Sequence, residues 1–176
     1  MASTFISLPI EAKSTKTLFT QTASVTIADT VTQTSVVSTG VGSVTLPANF
    51  FVVGKTVRVT ALGFHSSTGS PSVNVRIKVD GVTIATGTVA SGNGTDDGFV
   101  IEGILTCRST GVSGTLQGQG RYAELHSSGA QVGLVDLAPE TIDTTIANVV
   151  DVTFKWNTAA AGNTITCTNV TLEALN

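Results

Sequence analysis

The sequence predicts an all-β protein, an antiparallel jelly-roll sandwich behind an extended N-terminal arm. Three observations predict it. From about residue 22 onward the chain is built largely from Thr, Val, Ser and Gly, and β-branched side chains lose rotamer freedom in a helix but pack well on a pleated surface. No stretch repeats apolar residues at i, i+3, i+4 and i+7 over several turns, which removes amphipathic helices. Several stretches instead alternate apolar and polar residues with period two.

Taken in order, residues 1–20 differ from the rest. Phe5, Ile6, Leu8, Pro9 and Ile10, a Ser/Thr/Lys spacer, then Leu18 and Phe19 read as an extended arm in front of a domain of residues 21–176. Seven apolar side chains do not offset the entropy of ordering twenty residues. The arm therefore needs backbone partners as well, most simply the edge of another chain's sheet. The alternative is a frayed terminus.

Strands are expected at about 22–28, 31–37, 41–46 and 55–66, where Thr and Val dominate. The clearest pair is VNVRIKVDGVTIATG: Val73, Val75, Ile77 and Val79 alternate with Asn74, Arg76 and Lys78, and Asp80-Gly81 suits the positive φ of a two-residue type I′ turn. Strands at 73–79 and 82–89 follow. Further strands are expected at 99–107, 112–117 and 120–127, with Gly118-Gln-Gly120 as the turn between the last two. Segment 134–143 is a loop that could hold a helical turn. In 145–156, Ile146, Val150, Val152, Phe154 and Trp156 form one apolar face, with Asp151, Thr153 and Lys155 on the other. A last strand falls at 163–173. Eight or more strands without intervening helices give a sandwich or barrel, with the jelly roll preferred.

Charge narrows function. The 176 residues carry 9 Lys+Arg against 12 Asp+Glu, only 12% charged residues in all, and no basic cluster exists to neutralise phosphates. Nucleic acid is not an expected partner, nor is a membrane, since no run reaches the roughly 18 to 20 apolar residues of a span. So little charge leaves Thr, Ser, Val and Ala over large areas, a surface suited to burial between copies of the chain. Pro9, Glu11 and Lys13 interrupt any secretory apolar run, so the chain is expected to fold in a reducing cytoplasm with Cys107 and Cys167 free and buried. The sequons at Asn93 and Asn169 then read as chance.

Motifs for chemistry are weak. Gly111-Val-Ser113-Gly114 lacks the spacing of a nucleophile elbow, and Gly118-Gln-Gly120 opens no helix that could cradle phosphate. His65 and His126 stand alone, each at a strand end, where a solvated or hydrogen-bonded imidazole is the default. Asp96-Asp97 reads as an exposed turn rather than a calcium loop. Asp80, Glu102, Glu124 and Asp151 could meet in space as a hydrolytic pair, but each falls on a turn or a polar strand face. Trp156 continues the core stripe, leaving few aromatics for a sugar. No catalytic residue, metal or cofactor is expected.

The segments TLFTQTASVTIADTVTQTSVVSTGVGSVTLPANFFVVGKTVRVTALG and VDVTFKWNTAAAGNTITCTNVTLEAL resemble the jelly-roll virion proteins of tailed bacteriophages. The similarity centres on G-x-G-S-x-x-L-P-A-N-F-F-x-x-G-K-T at 40–56 and N-T-A-A-A-G-N-T-I-T at 157–166, and covers most of 17–176. It implies a jelly roll, commonly trimeric, displayed on or cementing the virion; related sequences occur among head decorations, head fibres and tail-fibre parts. No heptads or repeats supply a shaft, which favours a decoration or cement protein on the capsid exterior. The expected partners are further copies in a homotrimer and the major capsid protein, contacted through Phe5, Ile6, Leu8, Pro9, Ile10, Leu18 and Phe19. The alternative is a receptor-binding or carbohydrate-recognition module of a head or tail fibre, with a host-surface glycan as partner. An enzyme rests only on the versatility of the fold.

Overall fold

A computed structural model describes residues 15–125 and 129–176. They form an antiparallel β-sandwich of the jelly-roll type, with no helix among the described residues. The strands are β1 (Lys16–Gln21), β2 (Val25–Ala28), β3 (Thr34–Ser35), β4 (Gly40–Gly42), β5 (Thr45–Leu46), β6 (Thr56–Ser67), β7 (Ser72–Val79), β8 (Val82–Ala90), β9 (Gly94–Ser109), β10 (Gly114–Glu124), β11 (Gln131–Val135), β12 (Glu140–Ile142), β13 (Asn148–Trp156) and β14 (Thr164–Ala174). The larger sheet runs β11-β10-β9-β6-β14-β1-β4, with β12 beside β10 and β2 beside β14. The smaller runs β3-β13-β7-β8, with β5 beside β13.

Period-two alternation builds the core between them. Val73, Val75, Ile77 and Val79 of β7 are buried, as are Val57, Val59 and Ala61 of β6. Each fully buried aliphatic side chain contributes roughly 1.5–3 kcal/mol. An aromatic cluster joins the two sheets: Phe99 of β9 stacks on Tyr122 of β10 at 5.8 Å between centroids and meets Phe154 of β13 at 5.4 Å. The Asp80 and Gly81 turn has φ of 48° and 81°, joins Val79 to Val82, and matches the type I′ expectation.

Several expectations are corrected. Lys16–Gln21 is not arm: it is a strand held by β14 on one side and β4 on the other, so the domain starts before residue 21. The pair of strands at 112–117 and 120–127 is one strand, β10, through Gly118 and Gly120. A Cβ at Gly118 would lie 2.7 Å from Ile84 Cγ2, so this glycine marks close approach rather than a turn. Segment 134–143 holds the end of β11, the whole of β12 and no helical turn. Ile146 precedes β13 and is exposed rather than part of its core stripe. Thr153 is buried although it faces away from the core, because Gln33 covers it and donates to its hydroxyl at 2.8 Å.

Candidate docking end

Strand direction gives the sandwich two ends of different chemistry. β6 and β10 begin, and β7, β9 and β14 finish, where the described chain enters: Lys16 is opposite Ala174, which is opposite Val57. Loops 47–55, 110–113 and 143–147 gather there with the β7–β8 turn and Asn176.

Local sequence fixes these loops. Asn49 and Gly54 take positive φ, and Asp143 Oδ1 accepts from the Thr145 backbone at 2.9 Å, an Asx turn. Backbone hydrogen bonds then tie loop to loop: Asn49 N donates to Thr144 O at 3.0 Å, and Thr144 N donates to Gly111 O at 3.1 Å. Gly111 N donates to Thr144 Oγ1 at 2.9 Å. Asn176 receives Thr56 N on its Oδ1 at 2.9 Å and donates from Nδ2 to Gly54 O at 2.8 Å, while Lys55 Nζ donates to the Asn176 carbonyl. Phe51 is buried and anchors loop 47–55, which turns Val52 and Val53 outward.

The result is a hydrogen-bonded end with exposed aliphatic side chains. Val53 is 67% exposed, Val112 72% and Ile146 47%, and Val52 and Val149 join them. Single exposed aliphatics are ordinary; here five stand at one end, most of them on loops tied to one another by hydrogen bonds. The opposite end, loops 68–71, 91–93 and 157–163, is mostly Thr, Ser, Gly, Asn and Ala, with Val31 and Leu125 as its exposed large aliphatics.

Of the arm residues, Phe5, Ile6, Leu8, Pro9 and Ile10 lie outside the described residues. Phe19 is 4% exposed, its ring set against Gly40, whose added Cβ would lie 2.6 Å from Phe19 Cζ. Leu18 packs on the core from a part-buried position. Phe19 is therefore committed to its own core, whereas Leu18 keeps part of its surface. The fourteen residues before Thr15 could reach at most about 50 Å from this end. Sequence reasoning missed Val52, Val53, Val112 and Ile146; the one readable signal was the uninterrupted Phe50-Phe51-Val52-Val53 run inside a loop.

The reactive residue types are scattered. Asp80 stands at a turn of the docking end, Glu102 on the outer face of the large sheet paired to Arg121 at 2.7 Å, and Asp151 on the outer face of the small sheet. Glu124 is not on a solvated face: it is buried, with Oε1 3.2 Å from His65 Nε2 and 3.4 Å from the Tyr122 hydroxyl. Asp97 is likewise buried rather than in an exposed turn, opposite His65 in the β6–β9 register. The His65, Glu124 and Tyr122 group is closed to substrate, and burial with the Glu124 charge pushes the Tyr122 phenol far up. Cys107 and Cys167 are free and buried, and burial pushes the Cys167 thiol up to about 11, which leaves it un-ionised near neutrality. His126 lies outside the described residues. Among the described residues no group of three or more His, Cys, Asp or Glu is placed to hold a metal, and no helix is long and apolar enough to cross a membrane.

No family model matches the sequence, and no curated protein matches it. Among solved structures the chain is similar to the alginate lyase from Klebsiella pneumoniae at 8% identity and a TM-score of 0.25, over 70% of this chain and 58% of that one. The chain thus spans under two thirds of that enzyme's length, and a likeness so slight transfers neither site nor activity.

Proposed function

We propose that the protein is a virion structural component of a tailed phage, a capsid decoration or cement protein that acts by mechanical bridging and carries out no chemistry. The observation that carries this reading is the coincidence, at one end, of the arm's point of departure with the tied apolar rim of Val52, Val53, Val112 and Ile146. A partner surface facing that end would meet the rim where the described chain begins. The resemblance of 17–176 to phage jelly-roll virion proteins supplies the partner, a head-shell subunit. Low charge and the short, glycine-flanked edge strand β4 favour association of copies, with a homotrimer as the assembly. In a trimer the first arm to dock raises the effective concentration of the others to about the millimolar range, offsetting a weak single contact.

The test compares the full chain with a chain lacking residues 2–14, which spares β1, on empty heads stripped of the protein. The full chain is expected to bind to saturation. The truncated chain should keep its oligomeric state and melting temperature yet lose at least about tenfold in affinity, the loss of one apolar contact set. Equal occupancy by both chains, or a monomeric full chain, overturns the proposal.

A further inference from the structure

We propose a second binding site, for a carboxylate-bearing saccharide, in a groove on the outer face of the small sheet. This inference does not rest on the docking reading. The groove encloses about 410 Å³ and is lined by Asn74, Arg76, Thr88, Lys155, Asn157 and Val31, among others. That volume is in the range of small-ligand pockets, roughly 300–1,000 Å³.

Its lining is arranged by register. Lys155 lies opposite Asn74 and Asn74 opposite Thr88, while Thr153 lies opposite Arg76 and Arg76 opposite Thr86. Side chains at these paired positions share the outer face, since Val73, Val75 and Ile77 between them point to the core. Asn74 is the keystone. Its Nδ2 donates to Thr88 Oγ1 at 2.9 Å and to Gly87 O at 3.2 Å, and its Oδ1 accepts from Arg76 Nε at 3.0 Å. The guanidinium is held by one nitrogen, which leaves both Nη groups as a fork.

Both side-chain amide oxygens in the groove are engaged internally while donors remain. Asn157 Oδ1 accepts from Ser72 N at 2.8 Å, so its Nδ2 is the group left to donate, and Thr88 keeps its hydroxyl hydrogen. Among the described residues no carboxylate stands within 4 Å of Arg76 or Lys155. The face holds Arg76, Lys78 and Lys155 against one described acid, Asp151, which already receives the Ser35 hydroxyl at 2.6 Å and faces Lys78 across the ladder. A chain with a net charge of -3 thus places two cations, Arg76 and Lys155, in this groove.

Donor-rich and cationic, the groove fits an oxygen-rich anion. The Arg76 fork matches a carboxylate bidentately, and Lys155, Thr88 and Asn157 would meet ring hydroxyls. A peptide strand fits less well, because β7 is paired on both sides by β13 and β8 and offers no open backbone edge. A nucleotide lacks a stacking ring, since Trp156 is buried.

The experiment is titration calorimetry of the full chain at low salt with trigalacturonate, the neutral galactose trimer and triglutamate. Trigalacturonate should bind, and weaken as salt rises. The neutral trimer and triglutamate should each bind at least about tenfold more weakly, the worth of one charge-assisted contact. Arg76→Gln and Lys155→Gln should each cost about tenfold, and Arg76→Lys should not restore the loss from its lost fork. Arg58→Gln, on the other sheet, should change nothing. Absence of trigalacturonate binding, equal binding of either control ligand, or an equal loss with Arg58→Gln overturns the proposal.

Discussion

Asp151 shows how one side chain records its surroundings. It is half-buried on β13, and that burial raises its carboxyl above the usual range against the lowering pull of the Ser35 hydroxyl, the Val152 amide and the Lys78 charge. The raised value means that the fold disfavours the carboxylate relative to the unfolded chain. Between the unfolded value, about 3.9, and the higher folded one, the native state binds more protons, so the group's contribution to stability declines as pH rises through that window. Asp151→Asn removes this loss while Asn Oδ1 can still accept from Ser35. The variant's melting temperature minus that of the unsubstituted protein should therefore be more positive at pH 7 than at pH 3. Melts followed by the buried Trp156 give both values, and the gain stays below about 1 kcal/mol because the site is part-exposed and screened. A difference that is larger at pH 3 refutes the assignment.

Strand β10 carries the corresponding lesson for elements. Its neighbour β9 comes so close at Gly120 that an added Cβ would strike the Glu102 carbonyl oxygen and lie 2.8 Å from Gly103 Cα. Both are backbone atoms and cannot rotate away. Gly120→Ala should cost about 2–3 kcal/mol by overpacking, lowering the melting temperature by roughly 5–10 °C. Gly133→Ala, whose Cβ would meet Val135 Cγ2 at 3.3 Å, should cost under about 1 kcal/mol. Thermal melts of the two variants test the contrast, and equal melting points contradict it. The same glycines mark where sequence reading stopped. Alternation made β6, β7, β13 and β14 legible, because period two and burial largely coincide there, and the Asp80-Gly81 turn then placed β8. Gly118 and Gly120 misled, since a glycine signals a turn and a close backbone approach by the same absence of a side chain. Lys16–Gln21 was hidden for a related reason: Leu18 and Phe19 are as apolar as Phe5 and Ile6, and only the pairing with β14 and β4 separates strand from arm. Glu124 and Asp97 were unreadable because strand pairing alone brings them to His65, which lies distant in sequence. The cationic groove was equally invisible, since Arg76 and Lys155 are 79 positions apart and are gathered only by the β7–β13 ladder.

At the scale of the whole molecule, the two surfaces proposed for binding lie apart. The apolar rim stands at the end where Lys16 begins β1; the groove opens toward the other, near Ser72 and Asn157. A protein docked by its rim would leave that groove in solvent. The polarity can be tested without touching the arm. Val53 and Val112 are exposed and contribute little to folding, so Val53→Glu and Val112→Glu should change stability by less than about 0.5 kcal/mol. Seated against an apolar partner, however, each would bury an unpaired carboxylate, which costs several kcal/mol. Binding to stripped heads should therefore fall at least about a hundredfold for the double variant. Ala161→Glu, exposed at the opposite end, should bind like the unsubstituted chain. Occupancy measured by sedimentation of the particles decides the matter: loss with Ala161→Glu and retention with the valine pair would place the docking surface at the wrong end.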